Sequence, residues 1–201
     1  MPDLSLTELL DIVSAAGTTK ASTVLRIKHK PEYRPCRDYY LEARRHIVGV
    51  HRSSRPRADL AAILSRVPAK RTVNYEAVLN AYGEWWHRYT LDWFDPIHQV
   101  WECDGVRVRV NPELGLTING EPHLIKLYFK EIPLTRQRVS VITGLMAKVL
   151  GDVAGRNVSM SVLDIRRRRL HNAAAVPDPR LDAMLQAEIA YINTLWRVRA
   201  A

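Results

Sequence analysis

The spacing of apolar positions changes near residue 97, from about every third or fourth position to every second. Before that point the chain reads as helices. Ser5 and Glu8 stand at capping-box spacing, and Leu6, Leu9, Leu10 and Val13 then share one helical face until Gly17 ends the run. A second short helix is expected from about Thr18 to Lys28, and two short helices around a glycine resemble a helix-turn-helix. Lys30-Pro31-Glu32-Tyr33-Arg34-Pro35 interrupts the helical pattern twice. Asp38 to His51 reads as a helix, with Tyr40, Ile47 and Val50 on one side and Arg44 and Arg45 on another. A short helix over Ala58–Val67 closes at Pro68. A longer one over Val73–Tyr89 carries a broad stripe of Tyr75, Val78, Leu79, Tyr82, Trp85 and Trp86.

After Pro96 the period is two. His98–Cys103 and Val106–Val110 form strands around an Asp104-Gly105 hairpin turn, with Val106, Val108 and Val110 on one face. Asn111 to Gly115 interrupts that ladder, Leu116–Ile118 resumes it, and Asn119-Gly120 turns the chain into His123–Phe129. This last run is apolar on both faces apart from His123 and Lys126, as a doubly covered strand requires. Thr135 caps a helix running to Leu150, and Gly151 and Gly155 bracket the turn out of it. Val158–Ile165 is the last expected strand, and the Arg166–Arg169 run leaves it. Pro177-Asp178-Pro179 precedes a terminal amphipathic helix through Leu195. The expected class is α+β: a basic helical region over 1–71, then a mixed sheet flanked by helices over 72–201. Strands 106–110, 123–129 and 158–164 are expected in one sheet, the last two parallel because a helix connects them.

Composition adds little to this except through charge. The 201 residues carry a net charge of +9, with 47% apolar and 25% charged positions, which excludes disordered, collagen-like and disulfide-scaffold classes. The charge is uneven. Residues 20–71 hold 14 Lys/Arg against 4 Asp/Glu, residues 72–135 hold 5 against 9, and residues 136–172 hold 8 against 2. Two basic blocks around an acidic middle attract polyanions by counterion release. Cys36 and Cys103 are too far apart for a CxxC site, and the acidic start has no apolar leader. No run approaches a membrane span. The expectation is a cytoplasmic chain with no membrane partner. Its partners would be nucleic acid, another protein or a second copy.

The element order after residue 72, and the segments Val108-Arg109-Val110-Asn111-Pro112-Glu113-Leu114-Gly115, His123-Leu124-Ile125-Lys126 and Val162-Leu163-Asp164-Ile165-Arg166-Arg167, resemble the restriction-endonuclease-like core of the PD-(D/E)xK superfamily. Along its whole length the chain also resembles a bacterial family that shares Asn-Pro-Glu-Leu-Gly-Leu and Ile-Lys-Leu-Tyr-Phe segments, from which no activity follows. The superfamily resemblance implies a Mg²⁺- or Mn²⁺-dependent phosphodiester hydrolase with two carboxylates on the metal and a lysine beside it. On that pattern Glu113 is the catalytic and metal-binding acid, and Lys126 is the lysine.

The position two before Lys126 is Leu124, which cannot ligate a metal. Glu113 alone underbuilds such a site, with Glu84, Glu102 or His123 as replacements if the fold brings them near. Alternatively, Glu113 and Lys126 form a structural ion pair near one sheet edge. Arg44, Arg45 and Arg166, Arg167, Arg168 and Arg169 are the candidate phosphate contacts. The tryptophans read as core and hairpin packing. Three functions stay open: a nuclease-like module with a degenerate metal site that contacts nucleic acid, an active metal-dependent nuclease, and a protein-interaction module. No nucleotide-binding glycine loop, HExxH or GxSxG occurs.

Overall fold

The computed structural model describes residues 1–30, 38–155, 157–174 and 178–198. It is α+β, with a largely helical first half followed by strands. A short strand, β1 (Asp3–Ser5), leads into α1 (Leu6–Val13) and α2 (Gly17–Lys28). The capping box at the start of α1 is formed: Ser5 Oγ accepts from Glu8 N at 3.2 Å, and the Glu8 carboxylate accepts from Ser5 N at 2.8 Å. Gly17 does not merely end α1. At φ +52° it turns the chain in a conformation other residues resist, and α2 begins on it. The Pro31–Pro35 breaker and Cys36 lie outside the described residues.

Next come α3 (Leu41–Arg52), a 3-10 helix (Arg57–Arg66) in place of the short helix expected over Ala58–Val67, and α4 (Ala69–Trp86). The strands β2 (Leu91–Phe94), β3 (Gln99–Cys103), β4 (Val106–Val110), β5 (Leu114–Ile118) and β6 (Glu121–Tyr128) follow. Asp104-Gly105 and Asn119-Gly120 have the positive φ values of tight hairpin turns. Thr135 caps α5 (Arg136–Ala154) by accepting from Arg138 N. Gly151 lies inside this helix, so only Gly155, at φ +90°, ends it. The chain finishes with β7 (Ser159–Asp164), β8 (Arg169–Asn172) and α6 (Pro179–Arg197), the last capped by Asp178.

The strands build two sheets, not one. A five-stranded sheet has the order β2-β5-β6-β7-β8, in which β6 and β7 are parallel, as the intervening α5 requires. A three-stranded sheet has the order β1-β4-β3. Strand 106–110 therefore leaves the sheet expected for it. The cause is local: Pro112 follows β4 and has no N–H to extend a ladder, so the chain bends there and resumes as β5 against β6.

The five-stranded sheet is covered on both sides. On one face Ile125, Leu127, Phe129 and Leu163 pack with Ile47, Tyr75, Tyr82 and Trp85 of α3 and α4. On the other, Leu124, Tyr128 and Val162 pack with α1, α5, α6 and the inward valines of β4. The alternation expected along β6 is thus the alternation between two cores. Residues on both sides of position 71 contribute to each.

Candidate functional site

The proposed acid and lysine meet where β5 peels away from β6. Pairing stops at Leu114 opposite Ile125, with Glu113 N donating to Ile125 O at 3.0 Å. One step further, the next edge N–H of β6, on Leu127, has no strand to bond. The Glu113 side chain replaces the missing backbone: its Oε2 accepts from Leu127 N at 2.8 Å. Its Oε1 accepts from Lys126 Nζ at 2.7 Å, and Arg44 Nε of α3 lies 3.4 Å from the same oxygen.

Lys126 is only 7% exposed. Its ammonium also donates to Asn111 O at 3.0 Å and reaches Asn111 Oδ1 at 3.4 Å, so its donors are satisfied locally. Arg44 reaches over the Phe129 ring and pairs with Asp38 at 2.8 Å. The result is a nearly closed chain of charges, Asp38–Arg44–Glu113–Lys126, at the seam between the two cores.

This donor set does not fit a catalytic divalent cation. Such an ion needs several hard oxygens and open positions for water. Glu113 offers one carboxylate whose oxygens already face two cations and a backbone N–H, and Leu124 stands where the second acid would be. The proposed replacements point elsewhere: Glu84 pairs with Arg168, and Glu102 with Arg107 at 3.0 Å. Among the described residues no three His, Cys, Asp or Glu side chains gather as a metal site.

His123, the third possible replacement, is 3% exposed, because β6 is central in its sheet. Its Nδ1 lies 2.9 Å from Ser161 Oγ, and that hydroxyl donates to Asn172 Oδ1 at 3.0 Å. Ser161 is fully buried, so its hydroxyl is out of reach of a substrate. Burial holds the His123 pKa below its ordinary value, although Glu121 opposes it.

The arginine run is not a strand exit. Arg166–Arg168 form the turn between β7 and β8, and Arg169 opens β8 opposite Asp164. Arg166 donates to Phe129 O at 3.0 Å and to Tyr40 Oη at 2.7 Å. Arg167 binds Asp164, which is 1% exposed, at 3.2 Å, and donates to Glu131 O at 2.7 Å. Arg168 pairs with Glu84. Arg169 is exposed, and Arg45 is exposed beside Glu42 at 3.4 Å. Of the six proposed phosphate contacts, Arg44 and Arg166–Arg168 therefore hold elements together.

Sequence reasoning did not single out Asp164 as a partner for this turn, nor Asp38 and Tyr40 beside Arg44 and Arg166. An acid inside the apolar run Val162-Leu163-Asp164-Ile165 was the available signal for the first. The tryptophans behave as expected: Trp85 is buried, and Trp86, Trp93 and Trp101 pack partly buried against the cores. No helix among the described residues is long and apolar enough to cross a membrane.

No family model matches the chain, and no curated protein or solved structure matches it either.

Proposed function

We propose that the chain is a nuclease-like α+β module that associates with nucleic acid and lacks a metal-dependent cleavage centre. The observation that carries the second half is the state of Glu113. Both of its carboxylate oxygens are engaged by Lys126, Arg44 and the Leu127 N–H, at the one place where the superfamily resemblance puts the metal. Lys126 then acts as the counter-charge of a strand-edge cap rather than as the partner of an attacked phosphate. The association with nucleic acid is supported by the net charge of +9, of which the surface cations form the exposed share.

The test uses the full chain. Labelled DNA and RNA should bind at low salt with little sequence preference, and affinity should fall steeply between about 50 and 200 mM salt. With Mg²⁺ or Mn²⁺ present, both substrates should stay intact. Mn²⁺-dependent cleavage that disappears in Glu113→Gln overturns the non-catalytic reading. Absence of binding at low salt overturns the nucleic-acid reading.

A further inference from the structure

Apart from the exposed Arg169, the arginine run is engaged in ion pairs and hydrogen bonds, and further exposed cations lie elsewhere. Arg57, Arg66, Lys70 and Arg88 are exposed and form no ion pair among the described residues. All four belong to the 3-10 helix, to α4 or to the residues just after α4. These two elements fold back on each other: Arg57 and Leu60 lie against Gly83 near the end of α4, with Arg57 Nη1 3.4 Å from Gly83 O. Arg66 and Lys70 flank the Val67-Pro68 corner at the opposite end. Ten residues of 3-10 helix separate the two cationic ends by about 20 Å. At the Arg57 end lies an open groove of ≈ 450 Å³, lined by Arg57, Asn80, Glu84 and His87. The acid in its lining, Glu84, pairs with Arg168.

Of the aromatic residues of this unit, Trp86 and Tyr89 are partly buried against the core beneath α3 and α4. Tyr75, Tyr82 and Trp85 are buried. The surface therefore offers charges that meet phosphates, and among the described residues of the unit no fully exposed aromatic ring on which unpaired bases would stack. That combination favours a duplex, whose phosphates are outside and whose bases are already stacked.

We propose that the hairpin of the 3-10 helix and α4 is the docking surface for the phosphate backbone of a nucleic-acid duplex, with Arg57, Arg66, Lys70 and Arg88 as its contacts. This rests on the nucleic-acid reading above and adds the surface and the form of the ligand. Two fourfold variants of the full chain separate the claims. One carries Arg57→Gln, Arg66→Gln, Lys70→Gln and Arg88→Gln. The other removes the same charge away from the hairpin, with Arg26→Gln, Arg136→Gln, Arg180→Gln and Arg197→Gln, all exposed. Thermal unfolding checks that both fold, and binding of a labelled duplex is titrated across salt.

The hairpin variant should lose about tenfold or more in affinity near 100 mM salt and flatten the slope of log affinity against log salt by about 3 to 4. The control variant should keep close to the wild-type slope. Equal losses in the two variants, or a wild-type slope in the hairpin variant, overturn the assigned surface while leaving the nucleic-acid reading standing. Tighter binding of a single strand than of the duplex overturns the duplex assignment. Binding of phosphatidylserine vesicles with no binding of any nucleic acid overturns both readings.

Discussion

Glu113 stands where strand geometry by itself calls for an acceptor. A strand that loses its neighbour midway leaves an edge N–H exposed to a poorly hydrated interior, and an unmade hydrogen bond there costs about 1–3 kcal/mol. The Glu113 carboxylate satisfies Leu127 N, and its charge then needs a cation, which Lys126 supplies at 2.7 Å. Removing either partner leaves a different remainder. In Lys126→Met, Glu113 keeps Arg44 and the Leu127 N–H. In Glu113→Ala, Lys126 keeps only the Asn111 oxygens, and Leu127 N loses its acceptor. The alanine variant should therefore be the more damaging, by about 3–5 kcal/mol in chemical denaturation, with Lys126→Met costing less. A double-mutant cycle should return a coupling of about 1–3 kcal/mol. Equal single-variant losses with no coupling would show that the pair is not a unit.

At the level of elements, the contact between β2 and β5 depends on a missing side chain. Gly115 lies opposite Phe94, and a Cβ there would collide with the Phe94 carbonyl oxygen and ring. Its conformation is not the issue, since its φ is not among the positive ones. Gly115→Ala should cost about 1–3 kcal/mol through overpacking. Gly151, inside α5 with nothing near its missing Cβ, gives the opposite expectation: Gly151→Ala should stabilise by about 0.5–1 kcal/mol. Urea midpoints of the two variants should move in opposite directions, and a shared sign would refute the steric account of Gly115. Elements of this kind mark the limit of what the chain discloses. The helices and the Asp-Gly and Asn-Gly hairpins were legible because their period or turn chemistry spans several residues. β1, β2 and β8 were not, being strands of three or four residues, too short for a period of two to register. Missing β8 also hid the role of the arginine run: four consecutive charges look like a solvated tail unless the next strand folds back. Glu113 and Lys126 could be paired in advance because the Asn119-Gly120 hairpin fixes their register. Arg44, arriving from α3 across a tertiary contact, left no local trace of that role.

For the molecule as a whole, the two-core arrangement sets a dependence on pH. His51 ties α3 to α4 inside the second core, with Nε2 2.7 Å from Tyr82 Oη and its ring 4.1 Å from that of Trp86. Burial pushes its pKa down to about 4 from the ordinary 6.5. Burial also lowers the pKa values of His123 and His171 in the sheet, with Arg169 adding to the effect on His171. A depressed histidine binds its proton less readily folded than unfolded. Between about pH 6.5 and 4 the unfolded chain therefore takes up more protons, and stability falls as pH falls through that window. Above it the contribution of His51 is complete. Glu8 acts lower: burial alone would raise its pKa, but the bonds from Lys30 and Ser5 override that and lower it, so its contribution is lost only in more acid solution. At pH 5 the His51 share of the loss should be about 2 kcal/mol relative to pH 7. His51→Phe removes the titrating group and leaves an aromatic ring against Trp86. It should be less stable than the wild type at pH 7, because the buried Tyr82 hydroxyl loses its partner. Its stability should nevertheless fall less steeply from pH 7 to 5, with the remaining slope due to His123 and His171. Unfolding free energies of the two proteins measured across that range should converge as the pH is lowered. Parallel curves would mean that His51 is as easily protonated in the folded chain as in the unfolded one.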